Sequence, residues 1–600
     1  MDRPNLARGT LAAVLSATLG LAAGPIAGCH DNNDNGGGAP KTAVVRVIAF
    51  NDFHGNLDVT GNVNVPDPAD ASKTVSESVG GAAFLATMVQ QLKKDYPLNV
   101  VVGAGDQIGA SPLVSALFHD EPTVEALSAI GLEYTSVGNH EFDKGKTELK
   151  RMQNGGCRNG GVVGSDTCLD GGSFAGASYK YLAANVIDDT TGKPLFDPYA
   201  IKEFDVGGGA KVKIGFIGLV LKETPAIVTP DGVAGLTFKD EAETANALAT
   251  ELKGKGVNAI VVLIHQGIFT TVPFNDKTCA GASGDLLPIV DRLSSDIDVV
   301  VSGHTHWSYI CKGQGTTNAK PLYASAGSYG RYVTAYDLTV DTGSGDITAV
   351  SADNKLVVNN SKANPAETAY PTLTADATVQ ALVNKYKTAA APLTNKVVGA
   401  ISADLTRTQN TAGESTLGDV IADAQLAATQ GDSQKAVAAF MNPGGIRTDL
   451  VASQISGGEA AGEITYGEAF TVQPFYNSLV TTTLTGAQIY QLLTQQWTGQ
   501  TSPRLLQVSQ GFSYSWDNSQ PNESKVVEGS VAIGGVTVDK TKSYRVTVNS
   551  FMAGGGDGFT VLTQGANPVG GDLDIDALVA YLGAHKPLAP PALNRITRSN

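Results

Sequence analysis

The chain has 600 residues, of which 42% are hydrophobic, and a formal net charge of −16. The length exceeds what one hydrophobic core usually organises, so we expect at least two domains, and the near-zero mean hydropathy excludes a disordered or polytopic membrane protein. The acidic charge argues against binding a nucleic-acid polymer, which requires clustered Lys and Arg, but it leaves room for a small anionic substrate.

The first 29 residues differ from the rest of the chain. Two arginines precede an apolar stretch of small residues, Leu11 to Ala27, which is too short and too rich in Ala and Gly for a comfortable membrane span. It ends in Ile26-Ala27-Gly28-Cys29, which resembles the bacterial lipobox, in which the cysteine is acylated. We therefore predict a lipoprotein signal peptide over 1–29, lipidation at Cys29 and a flexible tether over 30–42. An ordinary cleaved signal peptide is the alternative.

Both alternatives predict export. No later segment has the length and apolarity to cross a bilayer, so membrane contact is expected only through the N-terminal anchor. The predicted location is extracytoplasmic, either facing the periplasm or on the cell surface. His30 after Cys29 favours the outer membrane if the source is Gram-negative.

Four further cysteines remain in the mature chain. An even number in an exported protein indicates disulfides rather than a zinc site, because no pair has C-x-x-C spacing. Neighbours in the sequence make the favoured pairing Cys157 with Cys168 and Cys279 with Cys311, although four cysteines allow three connectivities.

From residue 43 onward, short β-branched runs alternate with helix-like segments, which is the pattern of an α/β layered domain. The predicted strands are Ala43–Phe50, Asn99–Val102, Tyr134–Val137, Lys211–Val220, Ala259–Ile264 and Asp298–Ser302. A helix is predicted over Gly81–Tyr96, where apolar side chains recur at helical spacing.

The character of the sequence changes after this first domain, which we place at 43–350. Residues 351–395 are predicted to be a linker with one connector helix, Thr374–Ala389, that ends before Pro392. Residues 396–590 are long enough for an independent core. Their predicted helices and strands include Thr416–Ala428, Gly486–Trp497, Val480–Leu484 and Tyr544–Val548.

Residues that can bind metals follow the hydrophobic runs of the first domain. They are Asp52, His54, Asp106, Asn139, His265, His304 and His306. Because the carboxyl ends of strands in a layered α/β sheet converge on one edge, these distant segments are expected to meet. Carboxylate, imidazole and amide oxygen form a mixed ligand set that suits Mn, Fe, Zn or Co. Any one histidine after a strand is more often simply solvated, but the four histidines listed here and His140 all follow such runs, and five coincidences favour a metal site.

The ordered motifs D-x-H, G-D, G-N-H-E-F-D, H and G-H-x-H resemble those of the calcineurin-like metallophosphoesterases, over residues 43–340. Followed by a separate C-terminal domain, G-N-H-E-F-D resembles the bacterial 5′-nucleotidase family over nearly the whole mature chain. The resemblance implies an α/β fold with an N-terminal four-layer α/β-β/α sandwich, a connector helix and a second, α+β substrate-binding domain.

The resemblance also implies two divalent metal ions. One would be held by Asp52, His54, Asp106 and His306, and the other by Asp106, Asn139, His265 and His304, with Asp106 bridging. Two such cations can lower the pKa of a bridging water and clamp phosphoryl oxygens for in-line displacement. His140 would stabilise the transition state or protonate the leaving oxygen, and Asp143 would orient its imidazole.

Three elements of the second domain resemble substrate-binding elements of that family. N-P-G-G-I-R would place Arg447 on phosphate and Asn442 on the nucleoside. Q-P-F-Y-N and F-M-A-G-G-G-D would supply Phe475 and Phe551 on the two faces of the base, with Asp557 near the ribose hydroxyls. Such stacking contributes about 1–3 kcal/mol per base and tolerates any base. The alternative is that both phenylalanines belong to the core.

One position departs from the family pattern. Many relatives carry a phosphate-contacting arginine just before the residue that corresponds to Glu414, where this chain has Thr411-Ala412-Gly413. Arg407 lies further upstream. Either Arg407 substitutes, or Arg447 and the metals hold the phosphate alone.

Together the motifs predict an enzyme, a metal-dependent hydrolase of 5′-nucleotidase type that acts on a small-molecule nucleotide and releases nucleoside and phosphate. Nucleotide-sugar, 2′,3′-cyclic-nucleotide or other phosphoester or sulfur-ester hydrolysis within the same superfamily is the first alternative. A catalytically dead, surface-anchored binding lipoprotein is the alternative from another class. It is disfavoured because such decay usually removes ligands, and no ligand position is missing here.

Overall fold

A computed structural model describes residues 41–58, 61–272, 274–359, 369–431 and 434–600. The predicted signal peptide, the lipobox Cys29 and all but the last two residues of the predicted tether lie outside the described residues. Within the described ranges, no helix combines the length and the apolar character that crossing a bilayer requires. The mixed α/β fold class is confirmed, with an N-terminal and a C-terminal domain.

Two sheets form the centre of the N-terminal domain, each with six strands among the described residues. In spatial order, the first sheet contains Ile347–Leu356, Tyr332–Asp341, Thr42–Phe50, Asn99–Ala104, Tyr134–Ser136 and Lys180–Leu182. The second contains Ser308–Lys312, Leu322–Ala326, Val299–Ser302, Ala259–His265, Ala210–Val220 and Tyr199–Gly207. The strands that precede the metal-ligand motifs pair in parallel within each sheet, so their carboxyl ends lie at one edge.

The two sheets pack face to face, and helices cover their outer faces. Val47 and Val100 of the first sheet share a buried cluster with Phe216 and Val261 of the second. Apolar side chains of Ala82–Lys94, Glu121–Ile130 and Gly145–Asn154 cover the first sheet. Those of Glu241–Gly254 and Leu286–Arg292 cover the second. The result is a four-layer α/β-β/α sandwich.

Smaller elements complete this domain. They are the strands Asn62–Asp67, Asp70–Ser78, Val186–Asp188, Lys193–Pro194 and Leu236–Phe238, the short helices Leu113–Ala116 and Thr224–Ile227, and the 3₁₀ helix His140–Phe142. The strand Ile347–Leu356 belongs to the first sheet, so this sheet extends past residue 350, where the linker was predicted to begin.

The connector helix spans Ala377–Thr394. The prediction that it ends before Pro392 is wrong, because Pro392 lies inside its last turn. Tyr386 and Ala390 are buried in a cluster with Phe118 of the N-terminal domain, and the rings of Tyr386 and Phe118 lie 5.0 Å apart. This packing holds the end of the helix even though proline lacks a backbone donor.

The C-terminal domain is α+β. Its larger sheet has, in order, Gln507–Val508, Ala438–Met441, Ser543–Asn549, Ser478–Thr485 and Ala566–Leu573. Smaller sheets contain Val397–Ala400, Glu463–Thr465, Val536–Thr537, Ala532–Ile533, Phe512–Asp517 and Ile596–Ser599. The helices are Thr416–Thr429, Tyr466–Val472, Gly486–Thr494, Ser550–Ala553 and Asp574–Ala584, and the 3₁₀ helices are Pro443–Gly445, Asn522–Ser524, Gly556–Gly558 and Thr560–Gln564.

Candidate metal centre and substrate-binding residues

Five of the seven predicted metal ligands stand on sharp backbone turns. Left-handed φ angles of 47° to 72° occur at Asp52, His54, Asp106, His304 and His306. Non-glycine residues rarely adopt this conformation, and strained backbone of this kind concentrates at functional sites. Each turn follows a strand directly, so it directs a polar side chain to the edge where the two sheets meet.

The first group of ligands contains Asp52, His54 and His306, whose ligand atoms all lie within 4.8 Å of one another. The Nε2 atoms of His54 and His306 are 3.1 Å apart. His306 Nε2 lies 3.3 Å from Asp52 Oδ1. Asp52 and His54 are almost fully buried, so the group forms the floor of a site rather than a surface patch.

The second group contains Asp106, His265 and His304, again within 4.8 Å. The amide oxygen of Asn139 is 3.1 Å from both His265 Nε2 and His304 Nδ1. Asp106 Oδ2 lies 2.9 Å from His265 Nε2 and 3.6 Å from His54 Nε2 of the first group. Asp106 therefore stands between the two groups, where a bridging carboxylate is required.

The chemistry of these donors fits divalent cations. His54 Nδ1 donates to the backbone carbonyl of Gly109, and His265 Nδ1 donates to that of Ala104, each at 2.8 Å. A carbonyl oxygen can only accept, so each Nδ1 carries the hydrogen and each Nε2 of the neutral ring presents a lone pair to the site. Lone pairs of nitrogen and oxygen that face one another at these distances need a positive charge between them, which is either a proton or a metal ion.

The electrostatics of the buried carboxylate point the same way. Burial disfavours the charged form of Asp106, but His265, His140 and His54 hold its pKa well below the usual range. Burial likewise opposes protonation of His265, while the carboxylates of Asp106 and Asp52 and the carbonyl of Ala104 raise its pKa to about 9. A buried charge of this kind requires a partner, which can be a proton or a metal ion.

His140 and Asp143 form a pair beside the first group. His140 Nδ1 lies 2.8 Å from Asp143 Oδ2, and the rings of His140 and His54 are 5.1 Å apart. The backbone N–H of His140 donates to Asp106 Oδ1 at 2.9 Å, which fixes the pair to the bridging carboxylate. Burial alone would lower the pKa of His140, but Asp143 and Asp106 raise it above its ordinary value. The protonated imidazole is thus favoured, as a proton donor requires.

Two residues beside the ligands organise the site and were not singled out from the sequence. The buried carboxylate of Glu141 accepts the backbone N–H groups of Asp106, Gln107 and Gly138 at 2.9, 2.8 and 2.5 Å. Asn51 donates to Asp52 Oδ2 at 2.6 Å. Both adjoin ligand motifs, and that adjacency was the available signal.

The C-terminal domain reaches this centre through one aromatic loop. The Phe475 ring stacks on the His140 ring, with centroids 5.8 Å apart and an interplanar angle of 18°. The Arg447 guanidinium carbon lies 5.7 Å from the centroid of Phe475. A predicted phosphate ligand and a predicted base-stacking residue therefore lie beside the pair formed by His140 and Asp143.

Asn442 and Asp557 are also brought together. Asn442 Nδ2 donates to Asp557 Oδ2 at 2.7 Å, and Arg504, which the sequence analysis did not select, forms an ion pair with the same carboxylate. Phe551 is half-buried and packs against the C-terminal core. Among the described residues, the rings of Phe551 and Phe475 are not in contact.

Arg407 lies near the backbone that carries Arg447. Its Nη1 donates to Ile446 O at 3.4 Å and its backbone N–H donates to Asp449 Oδ1 at 2.7 Å. The side chain is largely exposed to solvent. This position is compatible with a contact to a phosphate held near Arg447.

Both cysteine pairs are joined in the structure. Cys157 is bonded to Cys168, and Cys279 to Cys311, with Cα–Cα separations of 5.5 and 5.6 Å. Cys279 and Cys311 lie in the core on the outer face of the second sheet.

Comparison with known proteins agrees with this architecture. Residues 45–308 match the model of the calcineurin-like phosphoesterases, and residues 393–564 match that of the 5′-nucleotidase C-terminal domain. The solved structure of a 5′-nucleotidase precursor from Thermus thermophilus superposes with a TM-score of 0.70 at 27% identity, covering 93% of this chain and 100% of that one.

Two bacterial relatives are similar over most of the chain. The cell wall protein Lmo0130 of Listeria monocytogenes is 32% identical over 91% of this chain and 68% of its own length. Endonuclease YhcR of Bacillus subtilis is 33% identical over 91% of this chain, but the chain spans only 40% of that protein. With both domain models matched in order, the chain belongs to the calcineurin-like metallophosphoesterases that carry a 5′-nucleotidase C-terminal domain.

Proposed function

We propose that the chain hydrolyses the phosphate ester of small nucleotides and releases nucleoside and inorganic phosphate. The observation that carries this proposal is the stack of Phe475 on His140, with Arg447 beside it. It supports one composite site, in which the C-terminal domain supplies an aromatic face and a phosphate ligand, and the N-terminal domain supplies the metal centre and a proton donor.

In this proposal, metal binding and proton transfer are assigned to different residues of the N-terminal domain. Asp52, His54 and His306 would hold one cation, and Asn139, His265 and His304 the other, with Asp106 shared between them. When bound, such a cation pair polarises the phosphoryl group and lowers the pKa of a coordinated water. His140 would donate its proton to the leaving oxygen of the nucleoside, and Asp143 would hold the imidazole in the tautomer that allows this.

The substrate residues give the proposal its nucleotide character. Phe475 would stack on the base, with Phe551 on the other face once substrate is bound. Asn442 and Asp557 already share a hydrogen bond and would meet the nucleoside hydroxyls together. Arg447, helped by Arg407, would bind the phosphate.

A substrate panel tests this function. Hydrolysis is measured with and without chelator, as inorganic phosphate from AMP and p-nitrophenyl phosphate, as UMP and glucose 1-phosphate from UDP-glucose, and as nucleoside monophosphate from a 2′,3′-cyclic nucleotide. We expect chelator-sensitive release that is most efficient with AMP. Release from p-nitrophenyl phosphate alone would retain the metal centre and reject the nucleotide site.

We also propose that the protein is exported and anchored by a lipid on Cys29. The lipobox-like sequence supports this, as do the two disulfides, which persist in oxidising compartments, and a relative named as a cell wall protein. Substitution Cys29→Ser should move the protein from the membrane fraction to the soluble extracytoplasmic fraction. Unchanged fractionation would reject the anchor.

A further inference from the structure

The metal ligand His54 is oriented by a turn, whereas its counterpart His265 is oriented by a strand. Gly109 O accepts the hydrogen of His54 Nδ1, and Ala104 O accepts that of His265 Nδ1, both at 2.8 Å. Ala104 is the last residue of the buried strand Asn99–Ala104. Gly109 lies in a loop with left-handed backbone at Gly109 (φ 81°) and Ala110 (φ 48°). The orientation of the His54 side chain therefore depends on the contacts that fix this loop.

The carboxylate of Asp120 holds the loop. Asp120 Oδ2 accepts the backbone N–H of Gly109 at 3.3 Å, and Asp120 Oδ1 accepts Ser115 Oγ at 2.7 Å. The backbone N–H of Asp120 donates to Ser115 O at 3.0 Å. One carboxylate oxygen accepts from Gly109 and the other from Ser115. The Asp120 side chain therefore ties Gly109, whose carbonyl orients His54, to the segment that contains Ser115.

The loop closed by the Cys157–Cys168 disulfide braces the residues on either side of Asp120. On one side, Arg158 Nη1 lies 2.6 Å from His119 Nδ1. On the other, the backbone N–H of Cys168 donates to the buried carboxylate of Glu121 at 2.7 Å, and Thr167 Oγ1 donates to the same group. Asp120 itself has a φ of 62°, a left-handed conformation that aspartate adopts more readily than most residues with a side chain.

We propose that Asp120 is a positioning residue for the metal ligand His54, and that the disulfide-closed loop 157–168 keeps it in place. The inference rests on the metal centre proposed above. Its consequence is asymmetric. Loss of the Asp120 carboxylate weakens the binding of the cation held by Asp52, His54 and His306. Binding of the other cation is unaffected, because the sheet orients its ligand His265.

The test compares Asp120→Gly with Asp120→Asn in the full-length mature enzyme. Glycine retains the left-handed backbone and removes the carboxylate, whereas asparagine tolerates the same backbone and keeps one oxygen acceptor. Mn²⁺ binding is measured calorimetrically, and kcat and KM are measured across Mn²⁺ concentration.

We expect Asp120→Gly to lower the affinity for one of two Mn²⁺ ions by roughly 10-fold and to leave the affinity for the other unchanged. This is the lower end of the roughly 10–100-fold cost of losing a group bonded directly to a ligand, because Asp120 acts on His54 through Gly109. Saturating Mn²⁺ should restore kcat, and Asp120→Asn should lie much closer to the unaltered protein. Unchanged binding of both ions by Asp120→Gly, or equal weakening of both with a lowered Tm, would overturn the role of Asp120.

The disulfide provides a second arm. Replacing Cys157 and Cys168 together by serine should lower the affinity for the same Mn²⁺ ion, but by less than Asp120→Gly does. Replacing Cys279 and Cys311 together is the matched control, because that disulfide lies in the opposite outer layer. If the control pair alone weakens Mn²⁺ binding, the brace is rejected. An unaltered protein that binds no Mn²⁺ would instead reject the metal centre itself.

Discussion

The two regions that build the site differ in how their residues are held. The proposed metal ligands stand at the ends of buried strands, and five of the seven have a left-handed backbone. Of the proposed substrate-binding residues of the C-terminal domain, Phe475, Arg447 and Arg407 lie on loops and are half-buried or exposed, whereas Asn442 and Asp557 are buried. Rigid placement suits chemistry that depends on ångström-scale geometry, and looser placement suits recognition that must admit and release a nucleotide.

Removal of the bridging carboxylate is expected to have the largest effect. Asp106→Ala should lower kcat more than about 10³-fold, beyond the 10–100-fold that an outer-shell partner costs, because Asp106 faces both ligand groups. The measurement is phosphate release from AMP at saturating Mn²⁺, with Asp197→Ala, an exposed carboxylate, as the control. Near-normal turnover would contradict the shared role of Asp106.

The catalytic pair should come next. His140→Ala should lower kcat by about 10²–10⁴-fold, the usual contribution of a positioned proton donor. Asp143→Asn should give a smaller loss, because the imidazole remains and loses only the negative charge of its partner at 2.8 Å. A substrate with a good leaving group, such as p-nitrophenyl phosphate, should suffer less than AMP. Equal losses on both substrates would reject proton donation by His140.

The aromatic face should have a moderate and selective effect. Phe475→Ala should raise the KM for AMP by roughly 5–150-fold, which corresponds to about 1–3 kcal/mol of stacking. The KM for p-nitrophenyl phosphate should change little, since that substrate lacks a nucleobase. If both KM values rise together, Phe475 supports the structure of the site and does not recognise the base.

The smallest expected effect is a change in stability with pH that arises from Asp419, a buried carboxyl group outside the proposed site. Its pKa is raised, whereas that of Asp106 is lowered. Burial raises the pKa of Asp419 to about 9, with help from Glu414 and Asp423 and against Arg595. The folded state therefore keeps a proton that the unfolded chain loses near pH 4, so this group stabilises the fold less as pH rises from about 4 towards 9. The Tm of Asp419→Asn minus the Tm of the unaltered protein should be larger at pH 8 than at pH 5. An equal difference at both pH values would show that Asp419 is charged when folded.

The sequence predicted the metal centre better than its supports. The candidate ligands, which the structure brings together, could be predicted because each follows a hydrophobic run, a pattern that is local in the chain. Glu141 could not be assigned its role, since the N–H groups that it accepts come from Asp106, Gln107 and Gly138, and the first two lie more than 30 residues away. The bracing of Asp120 by the loop 157–168 is likewise non-local.

The same distinction applies to the fold. Strand positions followed from β-branched runs, and the order of the domains followed from the motifs. The end of the connector helix did not follow, because burial of Tyr386 and Ala390 against Phe118 outweighs the local signal of Pro392. The contact of Phe475 with His140 joins two domains, and no spacing in the sequence encodes it.

The most direct test of the account is a Mn²⁺ titration of the chelator-treated, full-length enzyme while phosphate release from AMP is recorded. The two ligand groups predict that activity is absent after chelation and returns as two ions bind per chain. Release of phosphate that is indifferent to chelation would contradict the metal centre. Two bound ions without hydrolysis of AMP would contradict the proposed nucleotide substrate.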